Sequence, residues 1–168
     1  MEQKMRLYEP RDFEVCKALW AELTQRHRDI YADPTIGGTD PSHGFNTYLA
    51  NHHRQATWVV EVDGRVVGMA GLIVHGSEAE VEPVVVTASC RSRGIGGMLI
   101  TEAIAHAKKN GVRFLSTRPV ARNAEALSFF VDAGFNIVGQ IDLFQDLAPA
   151  TWRQWKDGLL IHGKQLRY

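Results

Sequence analysis

The sequence predicts an α/β fold, an α+β arrangement in which helices cover a mixed β-sheet. Three consecutive apolar stretches, residues 57–62, 65–75 and 79–86, are joined by short turns and therefore predict an antiparallel meander. Helix-like and strand-like segments then alternate, which is the pattern of parallel crossovers. A chain of 168 residues with 45% hydrophobic content can bury a sizeable core, so we expect a single domain, residues 1–168.

The first half of the chain is predicted from local periodicity and turn chemistry. A strand is expected at residues 5–8. A helix with Asp12 as its N-cap is expected to continue to about Arg28, because apolar residues recur there at four-residue spacing. A short helix is expected at residues 46–53. The Asp63-Gly64 pair predicts the two-residue turn of a hairpin between the first two strands of the meander.

The second half predicts alternating helices and strands. The apolar stripe of residues 95–109 predicts a helix, and residues 112–116 predict the strand that follows. Asn123 is expected to cap a helix that continues to Ala133, and residues 135–147 are expected to form further strand. Residues 147–168 are too apolar for a free tail, so we expect them to complete the domain or to pack in a homodimer interface.

The composition excludes several classes of function. The 19 basic and 19 acidic residues give a net charge of zero, so no basic field is expected to recruit nucleic acid or an anionic membrane. No apolar stretch approaches the length of a membrane span. Cys16 and Cys90 lack metal-type spacing and are expected to be reduced thiols of a cytoplasmic protein that holds no metal.

The strongest chemical signal is the stretch RSRGIGG at residues 91–97. It follows the apolar run Val84-Val85-Val86 and opens the predicted helix, whose first N–H groups point outward without intrahelical partners. Glycines let phosphates approach this backbone, and the two arginines add forked donors. The stretch therefore predicts a phosphate site. A dinucleotide site is disfavoured, because Leu99 stands where a third glycine belongs and a meander precedes the motif.

The order of elements together with the pattern Arg91-x-x-Gly94-x-Gly96 resembles the GNAT superfamily of acyl-CoA-dependent N-acyltransferases. A second stretch, residues 123–135 with the sequence NAEALSFFVDAGF, is similar to the segment that lies beside the pantetheine arm in that family. The resemblance covers residues 5–147, and the correct order of two motifs makes it far more specific than the short glycine pattern by itself.

The resemblance implies a central mixed sheet of about seven strands, with helices on both faces and splayed parallel strands at the cofactor site. It also implies acetyl-CoA as co-substrate and transfer of its acetyl group to a primary amine by direct attack. The acceptor stays open among small amines, amino acids, antibiotics and protein amines. The residues implied to bind the cofactor are Val84, Val85, Val86, Arg91, Ser92, Arg93, Gly94, Ile95, Gly96, Gly97, Asn123, Ala126 and Phe130.

Phe130 departs from the family pattern, which commonly has a tyrosine there to protonate the leaving thiolate. Phenylalanine donates no proton, so this chain needs another acid or releases the thiolate to water. The alternative function is therefore an acyl-CoA sensor or regulatory module with little turnover.

Glu80 and Glu82 are the candidate general bases, and Glu82 ranks first because it lies nearer the cofactor end of its strand. The two alternate along the strand, so both side chains are expected on one face unless a bulge shifts the parity. Pro83 predicts a disrupted ladder, because it lacks an N–H. A solvated strand face explains either carboxylate equally well.

Three other polar side chains give weaker signals. His75 titrates in the useful range but ends a strand, where a surface position is expected. Arg118 and Arg122 flank a turn and are expected to be solvated. The alternatives for these two arginines are the phosphates of the cofactor or an acidic substrate.

Overall fold

The computed structural model describes residues 2–51, 56–147 and 154–168. Its central sheet contains five strands: β1 (Gln3–Leu7), β2 (Thr57–Val62), β3 (Arg65–His75), β4 (Glu78–Val86) and β5 (Phe114–Ser116). They lie in the order β1-β2-β3-β4-β5. The first four are antiparallel, and β5 is parallel to β4. The predicted mixed sheet is confirmed, and β2 and β3 have the predicted bounds.

In the part of the chain that the structure describes, four α-helices cover the two faces of this sheet: α1 (Phe13–Tyr31), α2 (His43–Asn51), α3 (Ile95–Lys109) and α4 (Ala124–Asp132). The helices α1 and α2 pack on one face, whereas α3 and α4 pack on the other, as predicted. The start of α2 is earlier than predicted, and its predicted end at His53 lies outside the described residues. Among the described residues, no helix is long and apolar enough to cross a membrane.

The sheet divides the core into two layers. Adjacent residues of β2 enter opposite layers, as the pleat of a strand requires. The layer under α3 and α4 includes Val60, Leu72, Val81, Leu99 and Phe130. The layer under α1 and α2 includes Leu19, Phe45, Val59, Met69 and Val85. Both helical pairs are therefore held to the sheet by continuous apolar contacts.

The strand β4 changes face part-way along its length. Val81 lies in the layer under α3, but Val85 lies in the opposite layer. On the neighbouring strand only Gly71 stands opposite Glu82 and Pro83, so β4 carries an extra residue at this point. Proline lacks the N–H that a regular ladder needs, which suits it to a bulge. The disrupted ladder predicted from Pro83 is confirmed.

Asp12 holds the N-cap position of α1 as predicted, but its side chain does not cap that helix. Its carboxylate instead accepts the Glu9 N–H at 2.8 Å and two bonds from the guanidinium of Arg6, at 2.6 and 2.8 Å. The bonds from Arg6 hold the pKa of the Asp12 carboxyl below its usual value. The expected capping bond is absent because the partly buried arginine and the Glu9 N–H take up the carboxylate.

The C-terminal part of the chain differs from the prediction. The strands β6 (Asp157–Ile161) and β7 (Lys164–Arg167) pair with each other in a separate sheet, so the seven strands found among the described residues are divided between two sheets. Residues 135–147 contain no strand, and the strand predicted there is wrong. Ile137 and Phe144 are 90% and 88% exposed. The strand propensity of a residue reflects how well its side chain packs against neighbouring strands. Among the described residues, no strand lies beside this segment to pair with it.

Candidate active site

A glycine-rich loop joins the end of β4 to the N-terminus of α3. A 3-10 turn at Ala88–Cys90 precedes it, and Ser92 and Gly94 have left-handed φ values of 58° and 80°. The first bond of the helical ladder runs from the Met98 N–H to the Gly94 carbonyl at 3.0 Å. The N–H groups before Met98 therefore precede the ladder and point out of the helix, where the helix dipole also favours an anion.

The three glycines at the start of α3 serve different purposes. Gly94 has the left-handed φ that glycine adopts without strain. Gly96 lies against the ring of Phe129, which an added Cβ would approach to 3.2 Å. At Gly97 an added Cβ would meet no described atom within 4 Å. Gly96 is therefore needed for packing between α3 and α4, whereas the missing side chain of Gly97 leaves space for a ligand.

Two side chains tie the loop to the rest of the fold. The Nε of Arg91 donates to the carbonyl of Val86 at 3.0 Å, which holds the loop against the last residue of β4. On α1, the carboxylate of Glu22 accepts a bond from the hydroxyl of Thr87 at 2.8 Å. The backbone at the helix N-terminus is thus fixed from two directions.

The other predicted cofactor residues of this stretch lie in different environments. Ser92 and Arg93 are exposed beside the N-terminus of α3, whereas Ile95 and Val85 are buried in the core. Val85 faces the layer under α1, so its side chain points away from the glycine-rich loop and only its backbone is available on the cofactor side. Val84 lines a cleft between strands.

That cleft opens where β4 and β5 part. Their ladder ends at the pair Glu80–Ser116, whereas β4 continues to Val86 beside the glycine-rich loop. Within the described chain, no residue of β5 pairs with β4 beyond Glu80. The cleft is walled by α1, β4, α4 and the loop before α4. It brings together Glu80, Glu82, Val84, Asn123, Ala126 and Phe130, which the sequence motifs singled out separately.

The two candidate bases have unequal environments in the cleft. Glu80 is 6% exposed and forms an ion pair with Arg118, whose Nη1 lies 2.8 Å from the carboxylate. The side chain of Arg118 is 70% exposed, so an open guanidinium neutralises a buried carboxylate. Glu82 stands exposed in the bulge of β4 and takes no part in that ion pair. Arg118 is largely exposed, as expected, but its pairing with Glu80 was not predicted from the sequence.

His27 is a cleft residue that sequence reasoning missed. It lies on α1, half-buried, and lines the cleft together with Leu23 one turn earlier. Burial lowers the pKa of the His27 imidazole, because desolvation disfavours its charged form. One signal was available: His27 continues the four-residue spacing of Leu19 and Leu23 on the apolar stripe of α1. A polar residue in such a stripe faces the sheet.

The helix α4 supplies the opposite wall. The Oδ1 of Asn123 accepts the N–H of Ala126 at 3.1 Å, so the predicted cap of α4 is confirmed. Phe130 is 8% exposed and packs edge-on against Phe129 and Phe135, with ring centroids 5.2 and 5.7 Å away. Phe130 is therefore an apolar wall of the cleft.

Arg122 attaches the C-terminal hairpin beside the cleft. Its guanidinium lies 4.6 Å from the ring centroid of Tyr31 on α1 and donates to the carbonyls of Gln154 and Tyr168. The expectation that Arg122 is solvated is therefore wrong, because α1 and the hairpin enclose it. His75 is exposed at the end of β3 as expected and does not line the cleft.

Neither thiol belongs to the cleft lining. Burial raises the pKa of the Cys16 thiol to about 12, and Cys90 packs partly buried against the layer under α3. Over residues 2–51, 56–147 and 154–168, no group of three acidic, histidine or cysteine side chains is arranged to hold a metal ion.

Comparison with known proteins identifies the family. Residues 15–135 match the model of the acetyltransferase (GNAT) family. An uncharacterized N-acetyltransferase of Methanocaldococcus jannaschii is 30% identical over 113 residues, which are 55% of this chain and 50% of that protein. The match therefore spans half the length of that relative.

Two solved structures show the same fold. The ribosomal-protein-S18-alanine N-acetyltransferase of Escherichia coli superposes with a TM-score of 0.66 at 19% identity, over 91% of this chain and 88% of that one. The PaiA N-acetyltransferase of Thermoplasma acidophilum, solved in complex with coenzyme A, has a TM-score of 0.63 at 16% identity, over 84% and 94%. With the family model covering most of its length, the chain belongs to the GNAT acetyltransferase family.

Proposed function

We propose that this protein is an acetyl-CoA-dependent N-acetyltransferase that transfers the acetyl group to a primary amine by direct attack. The observation that carries the proposal is the parting of β4 and β5 after Glu80–Ser116, beside the N-terminus of α3. This geometry offers strand backbone to an amide-containing arm and an anion site to its pyrophosphate, both within residues 80–97.

The residues of the site fit coenzyme A. Gly97 leaves open space at the first turn of α3, which a Cβ would enter, and the exposed Arg93 lies beside it. The backbone of Val84 and Val86 would bind the pantetheine arm as a neighbouring strand does, with Asn123 on the opposite wall. When bound, acetyl-CoA supplies an acetyl group activated as a thioester.

Proton transfer falls to side chains that line the cleft. The lowered pKa keeps His27 neutral at physiological pH, so its imidazole is suited to accept the proton that the amine loses on attack. Glu82 is suited to bind the amine as an ammonium ion and to take up its first proton, which must leave before the nitrogen can attack. Glu80 is the weaker candidate for a base, since Arg118 already neutralises it.

A second candidate function is binding of acyl-CoA without turnover. The observation that favours it is Phe130, which forms a wall of the cleft and has no hydroxyl to protonate a leaving thiolate. In this case the protein would still bind coenzyme A, but His27 and Glu82 would transfer no proton.

One experiment separates the two functions. The purified protein is titrated with acetyl-CoA by calorimetry and then incubated with acetyl-CoA and a panel of primary amines, with free thiol and product mass as readouts. Acceptor-dependent release of thiol together with an acetylated product supports the transferase. Binding without release from any amine favours the sensor, and the absence of binding contradicts both.

A further inference from the structure

We infer that the acceptor of this reaction carries a carboxylate beside its amine, as an α-amino acid does, and that Arg118 binds that carboxylate. The inference rests on the proposed acetyl transfer and names its acceptor class. Three features of the cleft carry it: the geometry of the Arg118–Glu80 pair, its distance from the anion site at α3, and the charges of the neighbouring side chains.

The ion pair holds Arg118 at the mouth of the cleft. Glu80 is buried on β4, and its carboxylate forms an ion pair with Nη1 of the guanidinium. The side chain of Arg118 is otherwise 70% exposed and lines the cleft. Arginine presents five donors in a rigid fork that matches a carboxylate, so one anchored nitrogen leaves further donors for a ligand. Glu80 therefore orients the guanidinium of Arg118 and leaves its other N–H donors available to a ligand.

The position of the pair along β4 separates Arg118 from the phosphates of the co-substrate. The six steps along the strand from Glu80 to Val86 span up to about 20 Å at roughly 3.3 Å per residue, and the glycine-rich loop follows Val86. A cation for the pyrophosphate is needed at that loop, where Arg93 is exposed. Arg118 lies at the Glu80 end of this stretch of β4, away from that loop, so it is available to the acceptor and not to the pyrophosphate.

The charges of the cleft match an acceptor that carries both a positively and a negatively charged group. Arg118 supplies a cation, and Glu82 supplies a carboxylate outside the ion pair. His27 on α1 lies in the same cleft and carries no charge at physiological pH, because burial lowers its pKa. An ammonium beside a carboxylate would meet Glu82 and Arg118 respectively. A simple alkylamine would leave the guanidinium without an anion from the substrate.

The test uses sets of three acceptors that differ only at the carboxylate: an amino acid, its primary amide and its decarboxylated amine. Phenylalanine, phenylalaninamide and phenethylamine form one set, and the lysine, histidine and alanine sets extend it. Thiol release from acetyl-CoA gives kcat and KM for each. A charge-assisted hydrogen bond contributes about 1.5–3 kcal/mol, so we expect kcat/KM for the acid to exceed that for the amide by about 10- to 100-fold.

Variants connect this preference to Arg118. We expect R118A to raise the KM for the amino acid by about 10- to 100-fold and to leave the KM for the amide nearly unchanged. R118K keeps a cation beside the buried Glu80, so it protects the fold while removing the fork, and an intermediate KM is expected. R113A is the matched control: Arg113 is exposed beside Phe114 and does not line the cleft, so no change in KM is expected.

The outcomes separate this inference from the proposed function. If the amide and the amine are acetylated as well as the acid, or if folded R118A and R118K keep the full preference for the acid, the inference is wrong and the transferase proposal stands. If no primary amine causes thiol release, the transferase proposal itself fails, and the inference fails with it.

Discussion

Nη1 of Arg118 lies 2.8 Å from the carboxylate of Glu80, so an exposed guanidinium and a buried carboxylate form an ion pair in the lining of the cleft. Removing either partner would therefore act partly through the other. Glu80 pairs with Ser116 at the last rung of the parallel ladder, which fixes the backbone beneath this ion pair. The pair links the end of the sheet to the lining of the cleft.

The role of Glu80 follows from this contact. We expect E80Q to raise the KM for carboxylate-bearing acceptors by about 10-fold and to change kcat by less than about 3-fold, because Arg118 loses its anchor while the proton acceptor is kept. Steady-state kinetics over a set of acceptors measures this split. A loss of kcat of about 100-fold with every acceptor would instead identify Glu80 as the base.

The pH dependence reports on His27. Burial lowers its pKa below the ordinary value of 6.5, so the imidazole is neutral above that value and becomes protonated only as the pH falls further. We expect kcat/KM to fall along a limb below pH 6.5, and H27Q to lower kcat by about 100-fold and to remove that limb. H75Q is the control, because His75 is exposed and outside the cleft. An unchanged limb in H27Q would contradict the assignment.

The same pKa shift gives a stability prediction. The folded state disfavours the protonated form of His27, so its contribution to the free energy of unfolding is fully present above pH 6.5 and is lost as the pH falls through the lowered pKa. Chemical denaturation of wild type and H27Q across pH 4.5–7.5 measures it. The difference in unfolding free energy between the two proteins is expected to change below 6.5, and a constant difference would count against a depressed pKa.

Substitutions at two glycines near the start of α3 are expected to distinguish helix packing from ligand binding. We expect G97L to keep the melting temperature and to weaken coenzyme A binding by at least about 10-fold, since a side chain there enters open space instead of the core. G96L is expected to lower the melting temperature, because its Cβ presses on the ring of Phe129. Calorimetry and thermal unfolding measure both effects. Full affinity in folded G97L would place the pyrophosphate elsewhere.

Arg122 is expected to stabilise the fold. R122A removes the contact with Tyr31 and two hydrogen bonds to the C-terminal hairpin. We expect a loss of about 1–3 kcal/mol, or a fall in melting temperature of roughly 3–10 °C. R113A serves as the control for loss of an exposed arginine. An unchanged melting temperature in R122A would show that the hairpin is not held through this side chain.

Local patterns were sufficient for the central elements of the fold. The β2 and β3 strands and the α3 helix have the predicted bounds, because alternation, turn residues and an apolar stripe are properties of neighbouring residues. The Asp63-Gly64 turn has the two positive φ values that its residues predict. Residues 135–147 show where prediction from local pattern fails. Their composition is typical of a strand, but they pair with no other strand among the described residues and therefore form none.

By itself, the sequence determined the bounds of β2, β3 and α3, the Asp63-Gly64 turn and the cap of α4, because each depends on residues that are near one another along the chain. Only the tertiary structure decided that His27 of α1 lines the cleft, that Arg118 pairs with Glu80, and that Glu82 lies outside that pair. These contacts depend on the register of β4 with β5 and on the packing of α1 against the sheet. Residues that are distant along the chain set both, and no local pattern encodes them.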